Sequence, residues 1–86
     1  MFEGEYKNGK RNGKGKEYWN GKLKFEGEYL NGERNGKGKE YYDNGTLIYE
    51  GEYLNGERNG KGKGKEYWGG DIVFEGNYID GKKQLY

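Results

Sequence analysis

Residues 26–39, EGEYLNGERNGKGK, return unchanged as residues 50–63, and a duplication of this kind restricts the chain to architectures built by repetition. The motif aromatic-Glu-Gly-Glu/Asn-Tyr stands at 2–6, 25–29, 49–53 and 74–78, with spacings of 23, 24 and 25 residues. Each of the first three copies is followed by an Asn-Gly-x-Arg-Asn-Gly connector, a Gly-Lys-Gly-Lys segment and Glu-Tyr-Trp or Glu-Tyr-Tyr. A turn closes each of them: Asn20-Gly21, Asp43-Asn44-Gly45 or Gly69-Gly70. The units are therefore 2–24, 25–48 and 49–73, with a partial fourth at 74–86, in one array over residues 1–86.

No window places apolar residues at three-and-four spacing, and glycine recurs every few positions, so helix is a poor reading. Period-two alternation is clear instead: Phe25, Gly27 and Tyr29 point one way, Glu26 and Glu28 the other. Trp19-Asn20-Gly21-Lys22 is a strong hairpin signal, because both central residues tolerate positive φ. The expected fold class is all-β, an up-and-down antiparallel meander of seven or eight short strands, two per repeat.

A glycine inside a strand costs about 0.5–1 kcal/mol relative to alanine, so nineteen of them need a purpose. Bare glycines let neighbouring rings lie flat over the backbone. That role is assigned to Gly4, Gly13, Gly15, Gly27, Gly36, Gly38, Gly51, Gly60, Gly62 and Gly76. With a six-residue loop between Tyr6 and Gly13, Glu5 faces Lys14 and Glu3 faces Lys16, while Phe2, Gly4 and Tyr6 meet Gly13 and Gly15. Two even-length turns give a translation of 22 residues, one short of the first spacing of 23, so a bulge or an odd turn must restore the facing. A glycine of the Gly-Lys-Gly-Lys stretch is the expected place, and the extra Gly-Lys at 60–65 and the extra Asp43 are expected to be absorbed the same way.

Leu, Ile, Val and Phe together make only 12 of 86 residues, but there are ten tyrosines, two tryptophans and three phenylalanines. The area available for burial is mostly ring area. Sixteen basic residues against fifteen acidic ones give a net charge of +1, too little to draw the chain to nucleic acid or an anionic membrane. KGKGKEYW (61–68) mixes lysine with rings as single-strand binders do, yet glutamates interleave and nucleic acid is not an expected partner. Histidine, cysteine and serine are all absent, which removes the common nucleophiles, base and zinc ligands. No enzyme activity, cofactor or metal is expected. GEYKNGKR (4–11) and GNYIDGKK (76–83) imitate a phosphate loop but end in Arg11 or Lys83, not in a hydroxyl, and neither opens a helix. The sequon Asn44-Gly45-Thr46 is read as turn chemistry. Absence of cysteine fits a reducing compartment, and no apolar run exceeds three residues, so a cytoplasmic location is expected.

The residues Phe2/Gly4/Tyr6 with Asn8-Gly9 and Gly13/Gly15 resemble the MORN repeat family, whose pattern is aromatic-x-Gly-x-aromatic, Asn/Asp-Gly, Gly-x-Gly. The match continues through Phe25/Gly27/Tyr29, Asn31-Gly32 and Gly36/Gly38, then Tyr49/Gly51/Tyr53, Asn55-Gly56 and Gly60/Gly62. Phe74/Gly76/Tyr78 with Asp80-Gly81 begins a fourth unit that loses its Gly-x-Gly. Two departures stand out. Asparagine (Asn12, Asn35, Asn59) replaces the histidine often found before Gly-x-Gly, and the second aromatic is tyrosine in place of tryptophan. The resemblance implies a single-layered, elongated, twisted trough with aromatics and glycines lining its concave side. It also implies scaffolding or protein binding, with a weaker link to phospholipids.

One sheet cannot bury its own aromatic face completely, and exposed apolar surface usually meets a partner. The candidate groove therefore comprises Phe2, Tyr6, Phe25, Tyr29, Tyr49, Tyr53, Phe74 and Tyr78, with Trp19, Tyr41 and Trp68 on partner strands. It would take a peptide or helix of a protein partner. The alternatives are a purely structural, consensus-like repeat fragment and weak membrane-lipid association. The edge strands at Phe2–Tyr6 and Gln84–Tyr86 are open, and pairing between copies would give a homo-oligomer.

Overall fold

A computed structural model describes residues 1–84, the side chains of residues 61–63 excepted. Among the described residues there are nine strand segments and no helix: β1 Phe2–Lys7, β2 Lys10–Trp19, β3 Lys22–Leu30, β4 Glu33–Tyr41, β5 Leu47–Leu54, β6 Glu57–Arg58, β7 Gly60–Trp68, β8 Asp71–Ile79 and β9 Lys82–Lys83. They form one antiparallel sheet in chain order, with β6 and β7 both pairing β5 on either side of Asn59. The count exceeds the expected seven or eight because β6 and β9 are two-residue segments beyond Asn-Gly or Asp-Gly turns. Leu85, Tyr86 and the surroundings of Gly62 lie outside the described residues.

Five tight turns carry a positive φ near 50° on Asn8, Asn20, Asn31, Asn55 or Asp80, followed by a glycine that is also positive. This is the two-residue turn whose twist matches the strands it joins. The connector is thus no six-residue loop. Asn8-Gly9 turns the chain at once, so that Lys7 pairs Lys10 and Tyr6 pairs Arg11. Glu3 does face Lys16, but Glu5 lies in a register shift between Gly4 and Tyr6 and is not paired with Lys14.

That shift recurs between Gly27 and Tyr29. Its extra residues on β2 and β4 include Gly13 and Gly36, with φ of 94° and 98°. The shift at these glycines takes two extra residues and so cannot restore the facing, contrary to the expectation of a restoring bulge in the Gly-Lys-Gly-Lys stretch, and Gly13, Gly36 and Gly60 do not support rings. A methyl group on Gly36 would point at the Glu28 carboxylate, 2.8 Å away, and one on Gly60 at the Glu52 side chain, 3.2 Å away. A second, one-residue shift follows Glu17, Glu40 and Glu66. Asp43 needs no bulge: Gly45 N–H donates to the Tyr42 carbonyl at 2.9 Å and Tyr42 N–H to that of Thr46 at 2.8 Å, closing a three-residue loop. The extra Gly-Lys is taken up in a register shift between Gly60 and Gly64.

The glycines that do form the floor are one per long strand. Gly4 pairs Gly15, Gly15 pairs Gly27, Gly27 pairs Gly38 and Gly38 pairs Gly51. Gly64, which continues the row and pairs Gly76, takes the place the sequence reading had given to Gly60 and Gly62. Close approach demands these glycines. A Cβ on Gly27 would lie 2.5 Å from the Lys37 carbonyl oxygen, and one on Gly38 would lie 2.6 Å from two Phe25 ring carbons.

Over this floor the rings form one continuous zipper in the order Tyr6, Phe2, Tyr29, Phe25, Tyr53, Tyr49, Tyr78, Phe74. Centroids are 5.0–5.7 Å apart and planes are 81–88° to one another. Every contact is edge-to-face, a geometry worth about 0.5–1.5 kcal/mol beyond the area it buries. The contacts Phe2–Tyr29, Phe25–Tyr53 and Tyr49–Tyr78 join successive units. Phe25, Tyr29, Tyr49, Tyr53 and Tyr78 are buried, and Phe2, Ile48 and Phe74 pack against them. A sheet without a second layer thus obtains a core from one face.

Candidate functional site

The ring face is closed from above by ions. Across the Asn-Gly turn that follows each of the first three motifs, the residue paired with the tyrosine ending the motif is Arg11, Arg34 or Arg58. Their guanidinium carbons stand 4.2, 4.1 and 4.4 Å from the centroids of Phe2, Phe25 and Tyr49. Lys83 takes the same place over Phe74 at 5.3 Å. Arg34 grips Glu17 through two bonds of 3.1 Å, and Arg58 grips Glu40 at 2.9 and 3.1 Å. Glu66 is shared between Arg58 at 3.5 Å and Lys83 at 3.1 Å. The hydroxyls of Tyr29, Tyr53 and Tyr78 donate to Glu17, Glu40 and Glu66 respectively.

Burial works to raise the pKa of Glu17 and Glu40, but the arginine fork and the tyrosine hydroxyl outweigh it and hold both below the usual carboxylate range. The same contacts push Tyr29, Tyr53 and Tyr78 upward, burial first and the carboxylate second. Burial also pushes Tyr49 up to about 12. These phenols stay neutral and donate. Among the described residues no buried side-chain polar atom lacks a partner. The ring face is a finished, internally satisfied surface.

The other face is open. Here the glycine floor is bare backbone, and the alternate residues form bands of one sign per strand. Glu3 lies on β1, Lys14 and Lys16 on β2, Glu26 and Glu28 on β3, Lys37 and Lys39 on β4, and Glu50 and Glu52 on β5. Together with the floor they line a cavity of about 690 Å³. The register is continuous: Glu3 faces Lys16, Lys16 faces Glu26, Glu26 faces Lys39 and Lys39 faces Glu50. Tyr41 and Tyr67 belong to this side, donating to Glu26 and Glu50 at 3.0 Å. Tyr41 is pushed up to about 12 by burial and by that carboxylate. A second hollow of about 660 Å³ lies at the Asp43-Asn44-Gly45 loop, where Tyr42 meets Trp68 edge-to-face at 5.7 Å.

The eight motif rings therefore come together on one face, seven of them as a core while Tyr6 at the end of the row stays 60% exposed. No aromatic ring lines the large cavity, because strand alternation sends every one of the eight to the face where the glycines leave space for it. The expectation of a ring-lined groove is corrected accordingly. Tyr41 is on the opposite side, and Trp19 and Trp68, each 67% exposed, end β2 and β7 beside their turns. Sequence reasoning missed Arg11, Arg34, Arg58, Glu17, Glu40, Glu66 and Gly64. The signal was present, since these arginines are the only three in the chain.

One antiparallel sheet of hairpins, glycine-floored and ring-cored, defines a single-layer β-repeat protein. The MORN repeat family matches residues 2–22, 25–47 and 49–69, most of the chain, and the chain belongs to that family. No curated protein matches it. MORN repeat modules are non-catalytic, and they generally mediate protein or membrane interactions. Among the described residues no group of three or more His, Cys, Asp or Glu is placed to hold a metal ion, and no helix is long and apolar enough to cross a membrane.

Proposed function

We propose that the chain is a protein-binding or scaffolding module whose partner lies along the glycine-floored groove, with the ring lattice as its rigid backing. The observation that carries this is the contrast between the two faces. Arginine and glutamate cover the rings, whereas the opposite side leaves unhindered backbone along a cavity of about 690 Å³. Bare backbone flanked by the alkyl stems of lysine and glutamate offers apolar contact with charged rims. The bands alternate in sign, so the face lacks the basic cluster that an anionic leaflet requires, and this favours protein over lipid.

Photocrosslinking tests the assignment. A photoreactive residue in place of Lys37 is expected to capture a protein partner, and the same residue in place of exposed Trp19 is not. Capture from Trp19 alone would move the site to the hairpin ends. Capture from neither position, with no pelleting on vesicles containing phosphatidylserine, would return the chain to a purely structural role.

A further inference from the structure

We infer that the segment taken by this groove is an extended, polyproline-type strand carrying like charges at every third residue, a conclusion that rests on the groove proposed above. Bands of the same sign recur every second strand, and strands are about 4.7–4.9 Å apart, so the charge period along the groove is about 9.4–9.8 Å. A polyproline helix repeats every three residues, about 9.3 Å. An α-helix returns a residue to the same face after seven, about 10.5 Å. Across β1–β5 the groove runs through two periods, over which the polyproline repeat drifts by about 1 Å or less and the helical heptad by about 2 Å.

Width points the same way. The two walls are residues i and i+2 of each strand, such as Lys37 and Lys39 on either side of Gly38, about 6.6–6.8 Å apart. An α-helix with its side chains needs about 10–12 Å. Strand addition is also excluded, because the groove crosses strands whose backbone groups are already paired to each other. A polyproline-type chain makes no demand for a ladder. Its carbonyls are free, and the lysine ammoniums of β2 and β4 are donors beside them. Among the described residues neither Lys14 nor Lys37 has a carboxylate within 4.0 Å. Acids at every third position would meet these two bands, and bases between them would meet Glu26 and Glu28.

Fluorescence polarisation with the 86-residue chain and labelled Glu-Lys-Pro repeat peptides at low salt tests this. A peptide of identical composition, with charges shuffled out of the three-residue phase, is expected to bind about tenfold more weakly. The double variant Lys14→Glu/Lys37→Glu should lose binding to the phased peptide by a similar factor. Its near-ultraviolet circular dichroism should be unchanged, since the eight motif rings lie on the other face and Tyr41 and Tyr67 on this one bond to Glu26 and Glu50, not to these lysines. Equal binding of phased and shuffled peptides, or full binding by the double variant, would overturn the inference. If neither peptide binds while Lys37 still crosslinks a protein, the polyproline assignment falls and the groove stands. If crosslinking fails as well, both fall.

Discussion

Arg34 holds Phe25 under its guanidinium and Glu17 in its fork, so a single side chain ties the end of β2 to the start of β4. Arg34→Ala would leave Glu17, whose side chain is 27% exposed, with the Tyr29 hydroxyl and with Arg11 at 3.9 Å. Loss of about 2 kcal/mol is expected, because hydrogen bonds to charged groups exceed neutral ones. Arg34→Lys should recover less than half of it, since an ammonium cannot make both parallel bonds. Urea unfolding followed by far-ultraviolet circular dichroism measures this. A loss under about 0.5 kcal/mol would mark the pair as an ordinary surface bridge. The rings of this lattice were legible in the sequence, because period-two alternation around each Glu-Gly-Glu/Asn fixes their side. The arginines were not. Reading Lys7 to Asn12 as loop placed Arg11 outside the sheet, and only the two-residue turn brings it opposite Tyr6.

Successive elements are locked at their turns as well as at their rings. Gly32, Gly56 and Gly81 donate their backbone N–H to the carbonyls of Arg11, Arg34 and Arg58, one unit earlier, at 2.9–3.0 Å. At the other end of the strands Tyr42 meets Trp68 of the next unit, and the second unit takes its extra residue, Asp43, in the loop there without disturbing the floor. Removing Asp43 would leave Asn44-Gly45, the same turn chemistry as Asn20-Gly21. The melting temperature should therefore fall by less than about 4 °C, the loss of the Lys24–Asp43 ion pair included. Removing Lys39 from the middle of β4 should unfold the array, because a one-residue slip turns Glu40 off the ring face. Comparable melting of both deletions would contradict the register. The two-residue turns inside the connectors were not legible, but the seven long strands and the turns at Asn20-Gly21, Asp43-Asn44-Gly45 and Gly69-Gly70 could be read from spacing and turn residues. Gly64 could not, since Gly-Lys-Gly-Lys-Gly-Lys offers three phases and the choice depends on where the register shifts between Gly60 and Gly64.

For the molecule as a whole, the same lattice sets opposite limits in acid and in alkali. Glu17 and Glu40 have folded-state pKa values below their ordinary 4.5, so their contribution is complete above that value and disappears as pH falls through the lower folded values. Tyr29, Tyr53 and Tyr78 are raised from 10.0, and Tyr41 and Tyr49 are pushed up to about 12. Their contribution has the other sign. It is complete below 10.0 and is lost as unfolded tyrosines ionise while folded ones resist. Stability should be flat through neutrality, fall on the acid side only below the usual carboxylate range, and fall on the alkaline side from about pH 10 upward. Arginine stays charged throughout, so neither limit comes from the caps themselves. In an alkaline titration, phenolate absorbance from Tyr29, Tyr53 and Tyr78 should appear together with loss of strand signal, since each must leave its carboxylate to ionise. Complete phenolate absorbance with the strand signal intact would mean that these hydroxyls are open to water, and that the ring face is not the sealed backing on which a groove partner could rest.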